Sequence, residues 1–255
     1  MVKLFNKILS VLSQNHCCVL ATVVSSQGSS PRKIGTKMIV YKDASIEGTI
    51  GGGGLEKLVI ADALNALKRK KSFLKIYHLD KKSGLQVCGG EVSIFLEVLE
   101  PNKKIVIAGA GHIGLALSFI TKLLGFEVAI VDNRSAFAAA ARFPHADKII
   151  CAPYKEAFKK ISIDKNTFIV IVTHGHAFDL ESLEAALKTK AGYIGMIGSD
   201  TKIKLIFNEL KKKGFKKDKL SLVHTPVGLD IGAQTPEEIA VAIAAEIIQV
   251  NRKND

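Results

Sequence analysis

The stretch IVIAGAGHIGLAL sets Gly109, Gly111 and Gly114 in G-x-G-x-x-G spacing. Bare backbone at that spacing suits dinucleotide binding. One glycine allows a tight turn, one lets a pyrophosphate approach the main chain, and one lets a helix pack closely on a strand. Asp132 follows about 20 residues on, as the fingerprint requires for a ribose acceptor. Arg134 stands close by, which leaves the choice between NAD and NADP open. His112 sits inside the glycine loop and is expected to face the same crevice. An empty or reused scaffold is the alternative to a bound dinucleotide or pterin nucleotide.

Six further stretches carry chemistry. VTHGHAFDLESL offers His174, His176 and Asp179, a set that can run acid–base chemistry or ligate a metal, although Asp179 can equally cap the helix that follows. GYIGMIGS and TPVGLDIGAQTPEE bring Gly195, Gly198, Gly228 and Gly232 to strand ends, where bare backbone can line a crevice. Asp230, between them, can contact a ligand or hold a turn. TIGGGGLEKLV places Gly51, Gly52, Gly53 and Gly54 before a helix, where free amides and the helix dipole favour an anion. A flexible connector is the plainer reading. SSQGSSPRKIGTK reads as a loop carrying Gln27 and Arg32, the arginine suited to clamp a phosphate or simply exposed. QVCGGEV sets Cys88 beside Gly89 and Gly90, either a thiol for a soft ligand or a buried cysteine.

The elements that must position these residues change rhythm near EPNKK, residues 100–104. Before it, strands are expected at 18–26, 36–42, 72–79 and 91–99, with an amphipathic first helix and a second helix from Leu55 to Arg69. After it, apolar runs at 104–109, 127–132, 147–150, 167–173, 192–198 and 220–225 alternate with helical patterns, the first spanning Ile113 to Leu124. The last helix, 235–251, opens with Thr235 at its N-cap and Pro236 at its first position. The alternation predicts an α/β chain: a C-terminal Rossmann-type doubly wound parallel sheet over 101–255 and a smaller N-terminal α/β domain over 1–100.

Bulk properties narrow the class. The 255 residues are 47% apolar and 24% charged, an ordinary globular balance with room for two cores. The net charge is +12, but no nucleic-acid motif accompanies it and tryptophan is absent. The lysine runs at 68–71 and 211–219 read chiefly as solvated basic surface. Cys17, Cys18, Cys88 and Cys151 form no C-x-x-C, so a zinc knuckle is unsupported and reduced thiols are expected. No run is long enough to span a membrane, and a cytoplasmic protein is expected.

Taken together, ATVVSSQGSSPRKIGTKM, GTIGGGGLEKLV, QVCGGEVSIFLE, IAGAGHIGLAL, VDNR, THGHAFDLESL, GYIGMIGS and PVGLDIGAQTPEEIAVAIAAEI occur in an order that resembles the XdhC/CoxI family. These are accessory proteins of xanthine dehydrogenase and related molybdenum hydroxylases. The resemblance implies a maturation factor. It would bind the molybdenum cofactor, molybdopterin, assist its sulfuration by a cysteine desulfurase or sulfurase, and insert it into an apo-hydroxylase. The residues expected to bind cofactor are Gln27, Arg32, Gly51, Gly52, Gly53, Gly54, Glu56, Cys88, Gly89 and Gly90. In the second part they are Gly109, Gly111, His112, Gly114, Asp132, Gly198, Asp230 and Gly232. The family's glycine run usually ends in a cysteine where this chain has Gly54, so Cys88 is the family thiol that remains. Two other functions fit the motifs: an NAD(P)-dependent oxidoreductase using His174 or His176, and a metal hydrolase built on His174, His176 and Asp179. A homodimer through the N-terminal part is compatible with the sequence, although no heptad signature marks one.

Overall fold

A computed structural model describes residues 2–27, 33–79 and 90–253. The chain divides into two compact units, Met1–Pro101 and Asn102–Asp255.

The first unit contains α1 (Val2–Ser13), β1 (Cys18–Gln27), β2 (Lys37–Tyr41), β3 (Ile46–Gly48), α2 (Gly53–Arg69), β4 (Phe73–Leu79) and β5 (Gly90–Leu99). Its antiparallel sheet runs β3-β2-β1-β5-β4. Alternation along β1 divides the core. Val19, Ala21 and Val23 face α2, packing with Leu55, Val59 and Ala63. Cys18 and Leu20 face the other way and meet Ile8 of α1. A strand covered on both faces reads as a continuous apolar run. Burial pushes the Cys18 thiol up to about 11, with Cys17 adding to the shift, so it behaves as a core side chain rather than a nucleophile. β3 escaped the sequence reading because three residues at a sheet edge carry no periodicity. Gln27, expected in a loop, instead ends β1 opposite Glu91.

The second unit contains β6 (Lys104–Ala108), α3 (His112–Leu123), β7 (Glu127–Asp132), β8 (Lys148–Cys151), α4 (Tyr154–Lys159), β9 (Thr167–Ile171) and α5 (His176–Ala186). It continues through β10 (Tyr193–Met196), α6 (Asp200–Lys212), α7 (Lys217–Leu220), β11 (Val223–His224) and α8 (Pro236–Lys253). All its strands are parallel, in the order β11-β10-β9-β6-β7-β8. Counted within the unit, this is the 3-2-1-4-5-6 order of a Rossmann fold, reversing between β6 and β9, where ligands bind at the carboxyl ends. α3 and α8 cover one face through Leu117, Ala240 and Ile243. α4, α5 and α6 cover the other through Tyr154, Leu183 and Ile206. The strand expected at 220–225 shrinks to two residues because Leu220 closes α7 as a buried side chain. Among the described residues no helix is long and apolar enough to cross a membrane.

Candidate functional site

The glycine loop after β6 has three glycines with three different reasons for existing. Gly109 has φ +121°, and a Cβ there would stand 2.3 Å from the Val172 carbonyl oxygen. A Cβ on Gly114 would stand 1.9 Å from the Gly109 carbonyl oxygen. The fold itself demands these two. Gly111, the N-cap of α3, has φ −72° and faces open space, with nothing within 4 Å of a Cβ. Nothing among the described residues explains its missing side chain, and a ligand against the first turn of α3 would. His112 opens α3 as an exposed residue.

Asp132 ends β7 as expected, but its carboxylate is wholly buried and spent inside the protein. Oδ2 accepts from Ala110 N at 2.8 Å and from Arg134 Nη2 at 2.8 Å, while Oδ1 accepts from Arg134 N and Nε. Burial alone would raise its pKa; the Arg134 and Ala110 hydrogen bonds outweigh it and hold the group ionised below its ordinary value. The expectation of a ribose acceptor is therefore corrected: Asp132 holds the glycine loop and orders Arg134. Arg142 completes the clamp by donating to the Ala110 carbonyl oxygen at 2.8 Å. Neither arginine's part was visible in the spacing, because loop 133–147 folds back over the glycine loop only in three dimensions.

At the end of β9 the expected triad does not converge. His174 is exposed and its ring lies 4.5 Å from that of Phe178. His176 begins α5, and its buried Nε2 has no partner among the described residues. Asp179 lies within the first turn of α5 rather than capping it. Its Oδ1 accepts from Thr173 Oγ1 at 2.6 Å and its Oδ2 pairs with Lys202 of α6. Among the described residues no group of three His, Cys, Asp or Glu is placed to hold a metal ion. The metal-hydrolase expectation is corrected accordingly: a lysine ammonium stands against the carboxylate a metal would need. Sequence reading missed Lys202, whose aliphatic stem passes along Gly198. The buried Tyr154 and Ser182 hydroxyls also lack partners among the described residues.

The loop after β11 is pinned from α8. Glu246, nearly buried, accepts from Gly228 N through Oε2 and meets His224 Nδ1 at 2.5 Å. Gly228 has φ +102° and packs on the Ala242 backbone, while Asp230 and Gly232 are exposed on the rim of a cleft of about 380 Å³.

In the first unit, Gly51, Gly52 and Gly53 all adopt positive φ and carry the chain into α2. The loop's anion site, however, is filled from within. Glu56 Oε1 accepts from Thr49 Oγ1 at 2.5 Å, Gly52 N at 2.9 Å and Ile50 N at 3.1 Å. Gly51 N donates to Thr49 Oγ1. The reading of the whole run as a phosphate cradle is corrected: these amides serve Glu56. What stays open is Gly52 and Gly53, where a Cβ would meet nothing within 4 Å, and the first-turn amides of α2, with Gly54 among them. Gly90 begins β5 opposite Leu79. Arg32, Cys88 and Gly89 lie outside the described residues.

The strand order and the geometry of the glycine loop define a Rossmann domain. The chain belongs to the XdhC family: residues 105–247 match the XdhC Rossmann domain and residues 11–78 match the XdhC and CoxI family. It is similar to the uncharacterized protein YqeB of Escherichia coli K12, at 33% identity over 98% of this chain and 46% of that protein. It is also similar to a probable xanthine dehydrogenase subunit of Bacillus subtilis 168, at 29% over 74% of this chain and 53% of that one. The molybdenum cofactor insertion chaperone PaoD of Escherichia coli K12 is 23% identical over 95% of this chain and 86% of its own length. The chain thus spans about half the length of the first two relatives. A crystal structure described as a xanthine dehydrogenase from Bacillus halodurans shares the fold, with TM-score 0.56 and 23% identity over 98% of this chain and 96% of that one.

Proposed function

We propose that this chain is an accessory factor for a molybdenum hydroxylase, holding the molybdenum cofactor and assisting its insertion into the apo-enzyme. The observation that carries the reading is the presence of both XdhC regions on one chain, with an insertion chaperone aligned along nearly all of it. Sulfuration of the cofactor by a cysteine desulfurase, with Cys88 as the family thiol that the sequence retains, is the finer part of the proposal.

The residues fit an anionic, phosphate-bearing cofactor. The Gly111 opening, the amides of α3 and the guanidinium of Arg134 suit its phosphate. The first unit has an opening of its own at Gly52 and Gly53, where a Cβ would meet nothing within 4 Å. When bound, the cofactor supplies the metal and sulfur chemistry of the hydroxylase; this chain's residues bind it and shield it. A net charge of +12 favours both an anionic cofactor and an acidic partner surface.

The test is anaerobic co-elution with free molybdenum cofactor, followed by oxidation and pterin fluorescence of the protein peak. A stoichiometric signal is expected. A pterin-free protein peak overturns the reading.

A further inference from the structure

We propose that the ribose end of the Rossmann crevice is a phosphate-monoester subsite rather than a ribose-diol subsite, walled by Arg134 and Arg142. The inference rests on the reading above only in taking a ligand to occupy this crevice.

A diol subsite needs a free carboxylate at the end of β7, because two hydroxyl donors must find an acceptor. Here that carboxylate is fully buried and already accepts from Ala110 N and from Arg134 N, Nε and Nη2. What the site presents instead is cationic. The Arg134 side chain is 30% exposed, and Asp132 takes its Nε and Nη2, leaving Nη1. Its guanidinium lies 3.7 Å from the Phe137 ring centroid, and that of Arg142 lies 5.0 Å from the same centroid. Arg142 spends Nη1 on the carbonyl oxygens of Ala110 and Phe137, and its Nε and Nη2 donate to none of the described residues.

Two guanidiniums are thus ordered by one aromatic ring beside the loop of Gly111, where a Cβ would meet nothing within 4 Å. Pre-ordered planar donors lose little freedom on binding and match a phosphate's oxygens. Asp132 cancels one of the two positive charges, so the wall keeps a net positive charge for a group that carries nearly two negative ones at neutral pH. The monoester can come from the 2′-phosphate of NADP or from the phosphate of a pterin cofactor.

The experiment is isothermal titration of the full chain with NADP+ and NAD+ at matched ionic strength, together with the anaerobic pterin co-elution, on wild type and Arg134→Gln. NADP+ is expected to bind at least about tenfold tighter than NAD+, with Arg134→Gln erasing the preference. If the monoester is the pterin's, neither nucleotide binds, and Arg134→Gln instead lowers pterin retention about tenfold. The wild-type nucleotide comparison needs no variant. Arg142→Gln, which leaves Asp132 paired, repeats the test should Arg134→Gln fold poorly. NAD+ binding as tightly as NADP+, pterin retention indifferent to both arginines with no nucleotide preference, or no binding of any of the three ligands overturns the proposal. Failure of the accessory-factor reading looks different: wild type retains no pterin while the preference for NADP+ stands.

Discussion

Single residues here divide into those the fold requires and those only a ligand requires. Gly114 and Gly111 make the contrast. Gly114→Ala drives a Cβ into the Gly109 carbonyl and is expected to cost about 3 kcal/mol or more in urea unfolding. Gly111→Ala enters open space at an ordinary φ and should unfold like wild type while losing ligand in a binding assay. Equal stability of the two variants would contradict this division.

Glu56 belongs to the first kind. Burial alone would raise its carboxyl, but the hydrogen bonds from Thr49, Gly52 and Ile50 outweigh that and hold it below its ordinary 4.5. A carboxyl depressed in the folded state stabilises fully above its unfolded value and loses that contribution as pH falls through the folded one. Glu56→Gln is therefore expected to cost about 1–2 kcal/mol at neutral pH. Its deficit against wild type should shrink as unfolding is measured below pH 4.5.

Elements are held by pairs that cross between them. α5 and α6 are joined where Lys202 meets Asp179, a carboxylate with no exposed surface. Removing one partner of a buried pair strands the other, so Lys202→Met is expected to destabilise the second unit by about 3 kcal/mol. Asp179→Asn in the same background should restore part of that loss, and a double-mutant cycle reads the coupling directly. α8 starts with a reciprocal cap: Thr235 Oγ1 accepts from Glu238 N, and Glu238 Oε2 accepts from Thr235 N and Gln234 N. Thr235→Ala should cost about 1 kcal/mol, seen as a lowered urea midpoint with an unchanged slope.

For the whole molecule, two compact units with separate cores predict separable folding. A fragment of residues 102–255 is expected to melt cooperatively by itself. A fragment that stays unfolded would show that the second core needs the first. The chain's excess of lysine belongs to this scale as well: binding to an acidic partner should weaken steeply with salt.

The sequence by itself determined the Rossmann unit, because strands buried on both faces, the glycine spacing after β6 and the cap of α8 are local signals. It also pointed to the carboxyl end of the sheet, where open α/β folds bind ligands. Only the tertiary structure decided what the charged residues there do. Asp132 read as a ligand contact until Arg134 and Ala110 were seen to take all of it. His174, His176 and Asp179 read as a site until Lys202, distant in sequence, closed on the aspartate. The glycine run before α2 read as an anion cradle until Glu56 turned back into it. The physical reason is common to all three. Backbone periodicity and glycine spacing are set by neighbours along the chain, whereas a buried charge is defined by whichever partner the fold brings within hydrogen-bond reach.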